Sequence, residues 1–138
     1  MDKQIISVDR SEIQEGKLER LKSAVQELVH FVQANETRIL SYNMYIDEET
    51  YHMTVVQVHP DSASMENHME IAGPIFAKFA NLISLQTMDI YGHPSEQLVE
   101  QVRKKVQMLG TASVSVHEPR AGFIRPAPAI GSNSPIEK

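Results

Sequence analysis

Cysteine is missing from the 138 residues, and so is tryptophan. The first absence removes disulfides, thiolate nucleophiles and Cys-ligated zinc or iron–sulfur centres together. Aromatic residues make up only 6% of the chain, and no window approaches the roughly 18 consecutive apolar residues of a membrane helix. The opening Met1-Asp2-Lys3-Gln4 lacks the basic and apolar regions of a secretory signal, so the expected compartment is the cytoplasm and no membrane partner is expected. Basic residues are also scarce. Residues 1–92 carry 14 acids against 7 bases, and the one cationic run is Arg103-Lys104-Lys105. A nucleic-acid reader needs a broader basic face, so none is expected as a partner.

What is present is an ordinary globular composition, 41% hydrophobic with a formal charge of −5. Strand-like sequence around Ile5, Ile6 and Val8 gives way after Gly16 to a helical stripe of Leu18, Leu21, Val25, Leu28, Val29 and Val32, ending near Asn35. Leu40, Tyr42, Met44 and Ile46 alternate with polar neighbours. After Asp47-Glu48-Glu49-Thr50 a second strand runs from Tyr51 to His59, which predicts a hairpin closed off by Pro60. Asp61 or Ser62 can cap a helix bearing Met65, Met69, Ala72, Phe76 and Phe79, with a kink or break predicted at Gly73-Pro74. A strand from Leu85 to Tyr91, a helix capped by Ser95, and a short strand around Val114 complete the body. The order of Glu96 and Glu100 before Arg103–Lys105 matches the helix dipole, which accounts for the cationic run without a binding role. Residues 1–118 therefore read as one domain. Residues 119–138, with four of the seven prolines, read as an extended arm in which Phe123 and Ile124 could anchor on the body or on a partner subunit.

The first six elements follow the order β-α-β-β-α-β, an α+β ferredoxin-like unit with an antiparallel sheet and its helices on one face. The extra helix and strand follow it. Neither alternating set on the middle strands is strongly charged, so both faces of the sheet are expected to be covered. A second copy of the chain is the simplest cover for the face without helices, giving a homodimeric α/β barrel.

The stretch Val55-Val56-Gln57-Val58-His59-Pro60 leading to Ser64-Met65-Glu66-Asn67-His68-Met69, in that element order, resembles the antibiotic biosynthesis monooxygenase superfamily, cofactor-independent oxygenases of small molecules. The resemblance covers residues 3–92. Tyr91-Gly92-His93-Pro94-Ser95 and Ala121-Gly122-Phe123-Ile124-Arg125 resemble features of an uncharacterised subgroup. His68 matches that family's helix histidine, while His59 stands where its strand carries tryptophan. The resemblance implies a homodimer that oxygenates or isomerises a small aromatic or quinone-like substrate with no tightly bound cofactor.

The candidate bases are His68, bordering the inward stripe of its helix, and His59, sharing strand parity with Gln57 at an expected pocket mouth. Asn43, Gln57, Met65 and Phe76 are the candidate substrate contacts, within an adaptable cavity rich in Met and Phe. His52 is an odd number of residues from His59 and points to the opposite face, so a metal site built from His52, His59 and His68 is not expected. Haem is disfavoured because no histidine lies between Glu70 and Gly92. No glycine-rich loop links a strand to a helix to cradle phosphate. The alternative is a non-catalytic, small-molecule-binding or stress-related dimer, because a fold does not determine a function.

Overall fold

The computed structural model describes residues 3–125. Its elements run β1 (Ile5–Ile13), α1 (Leu18–Asn35), β2 (Ser41–Asp47), β3 (His52–His59), α2 (Ser62–Phe76), a 3₁₀ turn (Ala77–Phe79), β4 (Ile83–Tyr91), α3 (Glu96–Leu109) and β5 (Gly110–His117). The strands form one sheet in the order β2-β3-β1-β4-β5. The first four pair antiparallel in the ferredoxin-like arrangement, and β5 adds to β4 in parallel. A parallel neighbour needs a crossover, which α3 supplies.

β1 is the central strand, and its alternation is the key to the interior. Ile5, Ser7, Asp9, Ser11 and Ile13 all point inward and are buried. On β3 the inward set is Met53, Val55, Gln57 and His59. Strict alternation on β4 would turn Thr87 and Asp89 inward, but the register with β1 shifts between Arg10 and Ser11. The bulge inserts one residue, so Ile83 and Leu85 share the buried face with Met88 and Ile90. These side chains form one core with Leu21, Leu28 and Val32 of α1, Met65, Met69 and Phe76 of α2, and Leu98, Val102 and Leu109 of α3.

Element boundaries depart from the sequence expectation in several places, β4 for one starting at Ile83 rather than Leu85. Tyr51 adopts the left-handed conformation at φ 60°, so it belongs to the hairpin turn and β3 starts at His52. α2 runs through Pro74 to Phe76 as one helix rather than breaking there. Gly73-Pro74 falls in the last turn, where losing one backbone bond costs little continuity. Gly110 ends α3 as expected, its amide donating to the Val106 carbonyl, and it also opens β5 directly. As expected, Asp61 caps α2 by accepting from the Ser64 amide at 2.9 Å, and Ser95 caps α3 through the Leu98 amide at 3.0 Å.

Residues 119–125 carry no helix or strand, and Phe123 is 75% exposed with the Arg125 guanidinium over its ring. It therefore does not anchor the arm on its own subunit, since nothing apolar from the body covers it. The remainder of the arm lies outside the described residues. Among those described, no helix is long and apolar enough to cross a membrane.

Candidate functional site

Glu36 follows the last turn of α1, where its backbone amide donates to the Val32 carbonyl. This is the wrong end of a helix for a carboxylate, because the macrodipole there is negative. The side chain is nonetheless buried, and both of its oxygens lie 2.9 Å from Nδ1 of His68 on α2. His68 is fully buried. A carboxylate can only accept, so Nδ1 carries the proton and donates, and Nε2 presents its lone pair. Among the described residues Nε2 has no hydrogen-bond partner. Burial lowers the His68 pKa, and the hydrogen bond and charge of Glu36 pull it partly back up. The product is a neutral imidazole, oriented by a carboxylate on one side and free on the other.

Three rings surround it. Tyr42 of β2 approaches edge-on with centroids 5.1 Å apart, Phe76 lies at 5.5 Å and His59 at 5.8 Å. The two histidine rings lie side by side, but not across a cavity from each other as expected: neither lines the small cavity that Phe76 borders. Their surroundings differ, however. His59 is fully buried rather than at a pocket mouth, because it ends β3 directly beneath the capped start of α2. Its Nε2 donates to Oε1 of Gln57 at 2.7 Å, and its Nδ1 accepts from the Ser64 hydroxyl at 2.7 Å. Burial first, then the proximity of His68, lowers its pKa to about 3. With both ring nitrogens engaged, His59 is placed to hold the neighbourhood rather than to exchange protons with a ligand.

Gln57 is fully buried beside Ser7 of β1 and leaves its Nε2 without a partner. Met65 is fully buried in the core. Phe76 flanks His68 and lines a small cavity, so of the expected substrate contacts it comes closest to that role. Asn43 does not join them. On β2 the inward residues are Tyr42, Met44 and Ile46, which leaves Asn43 exposed on the opposite face. The buried amide expected there has no burial to satisfy. His52 also sits on the opposite parity of β3 from His59. Among the described residues no three His, Cys, Asp or Glu side chains are grouped to hold a metal.

The cavity measures about 30 Å³. Its walls are largely aliphatic, with Met44, Met53 and Val55 from the sheet and Leu28 and Leu109 from the helices. Three polar residues also reach it: Tyr42, Asp9 and Lys105. His68 is separated from it by Tyr42 and Phe76, which border both. On the other side of Tyr42 a surface depression of about 340 Å³ is lined by Glu36, Val32, Ile39 and Leu40. Burial raises the Tyr42 pKa, with the charges of Asp9 and Glu36 adding to it, so its phenol stays protonated.

Sequence reasoning missed Glu36, Asp9 and Lys105. Each had a signal. Glu36 opposes the dipole of its helix, Asp9 shares the inward parity of Ile5 and Ile13, and Lys105 lies seven residues after Leu98 on the stripe of α3. Arg103 and Lys104 are exposed, as a solvated cluster should be, but Lys105 points inward.

No family model matches this chain, and no curated protein matches its sequence. Solved structures do match it. MupZ from Pseudomonas fluorescens aligns over 91% of this chain and 92% of its own, at 17% identity and a TM-score of 0.72. SnoaB, a cofactor-independent oxygenase from Streptomyces nogalater, aligns over 67% of this chain and 95% of its own, at 11% identity and a TM-score of 0.56. Rv0793 from Mycobacterium tuberculosis aligns over 67% and 97%, at 10% identity and a TM-score of 0.54. At these identities the likeness is one of fold. It extends to the α+β, ferredoxin-like fold expected from the sequence.

Proposed function

We propose that this chain is a cofactor-independent, monooxygenase-like enzyme in which His68, oriented by Glu36, is the general base toward a small aromatic or quinone-like substrate. The observation that carries the reading is the buried Glu36–His68 pair with its unpartnered Nε2. In the reaction, Nε2 takes a proton from an acidified C–H of the substrate, leaving a carbanion, or from an O–H, leaving a phenolate or enolate with carbanion character at carbon. The carbanion reduces dioxygen. Over the whole cycle a CH₂ becomes a C=O, one oxygen atom enters the product and the other leaves as water, so the substrate itself is the reductant. The protein contributes the base and a site free of water, where the carbanion is not quenched. For a substrate to reach Nε2, the Tyr42 or Phe76 ring has to swing aside. The working unit is proposed to be a homodimer, joined through the sheet face that carries no helix.

Oxygen uptake with a panel of quinols, catechols and anthrone-like compounds tests the reading. His68→Ala should lower uptake by about 10²-fold, as loss of a general base does. Glu36→Gln should lower it less, because an amide oxygen still accepts from Nδ1. Undiminished uptake in His68→Ala sinks the proposal. A second reading has its own support: the cavity is small and apolar, and neither histidine lines it. That arrangement suits a non-catalytic binding protein. Saturable binding of such compounds, with no oxygen consumed for any of them, would select it.

A further inference from the structure

Lys105 is a buried cation with an incomplete set of partners. It is 8% exposed, and its Nζ lies 3.7 Å from Asp9 Oδ2, too far for a hydrogen bond. Its other close neighbour is the face of Phe76, 4.3 Å from the ring centroid. Asp9 is 3% exposed, and its Oδ2 has no hydrogen-bond partner among the described residues. A buried ion pair in such loose geometry does not recover the cost of taking both charges out of water. An apolar residue at position 105 would continue the stripe of Leu98, Val102 and Leu109 and favour the fold. The pair calls for a reason other than stability.

Its placement supplies one. Asp9 and Lys105 both line the small cavity. Lys105 and Phe76 also line a surface groove of about 270 Å³ between α2 and α3, whose other walls include Met69, Met108, Glu70 and Lys104. The ammonium and the ring are thus the shared wall between groove and cavity. Both flanking methionines are flexible, and a lysine stem can swing without moving the backbone.

We propose that Lys105 is the counter-ion for a ligand that combines an apolar ring with one anionic oxygen group, a carboxylate or a phenolate. The ring lies against Phe76, Met69 and Met108 in the α2–α3 groove, which has the volume for it where the cavity of about 30 Å³ does not. The anionic oxygen takes the ammonium that Asp9 holds at 3.7 Å. Asp9 is then a competitor for Lys105, and burial, which raises its pKa, lets it take up a proton when displaced. The inference rests on the reading above for the identity of the ligand as a substrate, and it names the charge that substrate carries.

Calorimetric titration of the full chain with 2-naphthoate, 4-nitrophenolate and the neutral 2-naphthylmethanol tests it. At least one of the two anions should bind about tenfold or more tightly than the neutral compound, and which one does so separates carboxylate from phenolate. Lys105→Met should abolish that preference. Asp9→Asn should strengthen it, an effect that a merely structural ion pair would not produce. Equal affinity for all three probes, or a preference indifferent to both substitutions, overturns the proposal. If Lys105→Met does not fold, Asp9→Asn decides alone. The two readouts are separate: no oxygen uptake beside an intact, Lys105-dependent anion preference overturns the catalytic reading alone, and equal affinity for all three probes overturns this one.

Discussion

His59 and His68 sit 5.8 Å apart and do different things because their hydrogen bonds differ. His59 spends both nitrogens on Gln57 and Ser64, whereas His68 spends one on Glu36. The difference should be visible in acid. The folded-state pKa of His59 is about 3 against an ordinary 6.5, so the unfolded chain binds its proton first as pH falls. Its contribution to stability is therefore complete above pH 6.5 and is lost progressively between 6.5 and about 3. His68, also lowered, acts with the same sign, and Asp9, raised, acts against both. Urea denaturation at a series of pH values, for the wild type and His59→Asn, isolates the first contribution. The substitution should flatten the acid limb while lowering stability at neutral pH by about 1–3 kcal/mol, because Gln57 and Ser64 lose a partner. Parallel pH curves for the two proteins would show that His59 carries no such linkage. Activity should obey a similar rule for His68. Turnover should hold level as pH falls past 6.5, where an ordinary histidine begins to protonate, and decline only below it. The histidines were legible in the sequence through strand parity and helix period. Their division of labour was not, because it is set by Glu36, 32 residues from His68 in the chain, and by a serine one turn into α2.

At the scale of elements, periodicity placed every helix and strand, and the misplacements trace to local chemistry that periodicity does not encode. The bulge on β4 is one case: it changes which residues face inward without changing the composition of the strand. Gly110 is the other. It ends α3 as read, but its backbone also passes so close to β4 that a Cβ there would lie 2.7 Å from the Leu85 amide nitrogen and overlap the Leu85 carbonyl oxygen. Backbone atoms cannot rotate away as a side chain would. Gly110→Ala should therefore destabilise the domain by about 1–3 kcal/mol in urea titration, and should do so by loosening β5 from β4. Amide exchange restricted to residues 110–117 would locate the damage, and an unchanged midpoint would show that the crossing has slack. The arm gives the opposite expectation. With Phe123 exposed on its own subunit, Phe123→Ala should change the stability of the isolated subunit by less than about 0.5 kcal/mol.

The whole molecule is lopsided. One face of the sheet holds all three helices and the core, while on the other Ile6, Val8, Val56 and Val58 are only half-buried. The strand register makes them neighbours: Ile6 pairs with Val58 and Val8 with Val56. Tyr91 continues the patch beside Ile6 on β4 and remains 42% exposed, and Tyr45 on β2 is 57% exposed. Contiguous apolar surface of this kind is what an interface between chains is expected to use. Polar residues border it, with Arg10 and Glu12 on β1 and Asn43 and Asp47 on β2 exposed. Asn43, expected in the pocket, thus belongs to this surface, where an amide can bond across an interface. A second copy of the same sheet is the cover that needs no other gene product, and a two-fold axis makes the patch its own complement. Sedimentation of the full chain at micromolar concentration should then give twice the chain mass. Val8→Glu, which puts a charge at the centre of the patch and leaves the helical face untouched, should give the single-chain mass with its circular dichroism preserved. If the wild type itself runs as a cooperatively folded monomer, the sheet face is simply solvated and the barrel is ruled out.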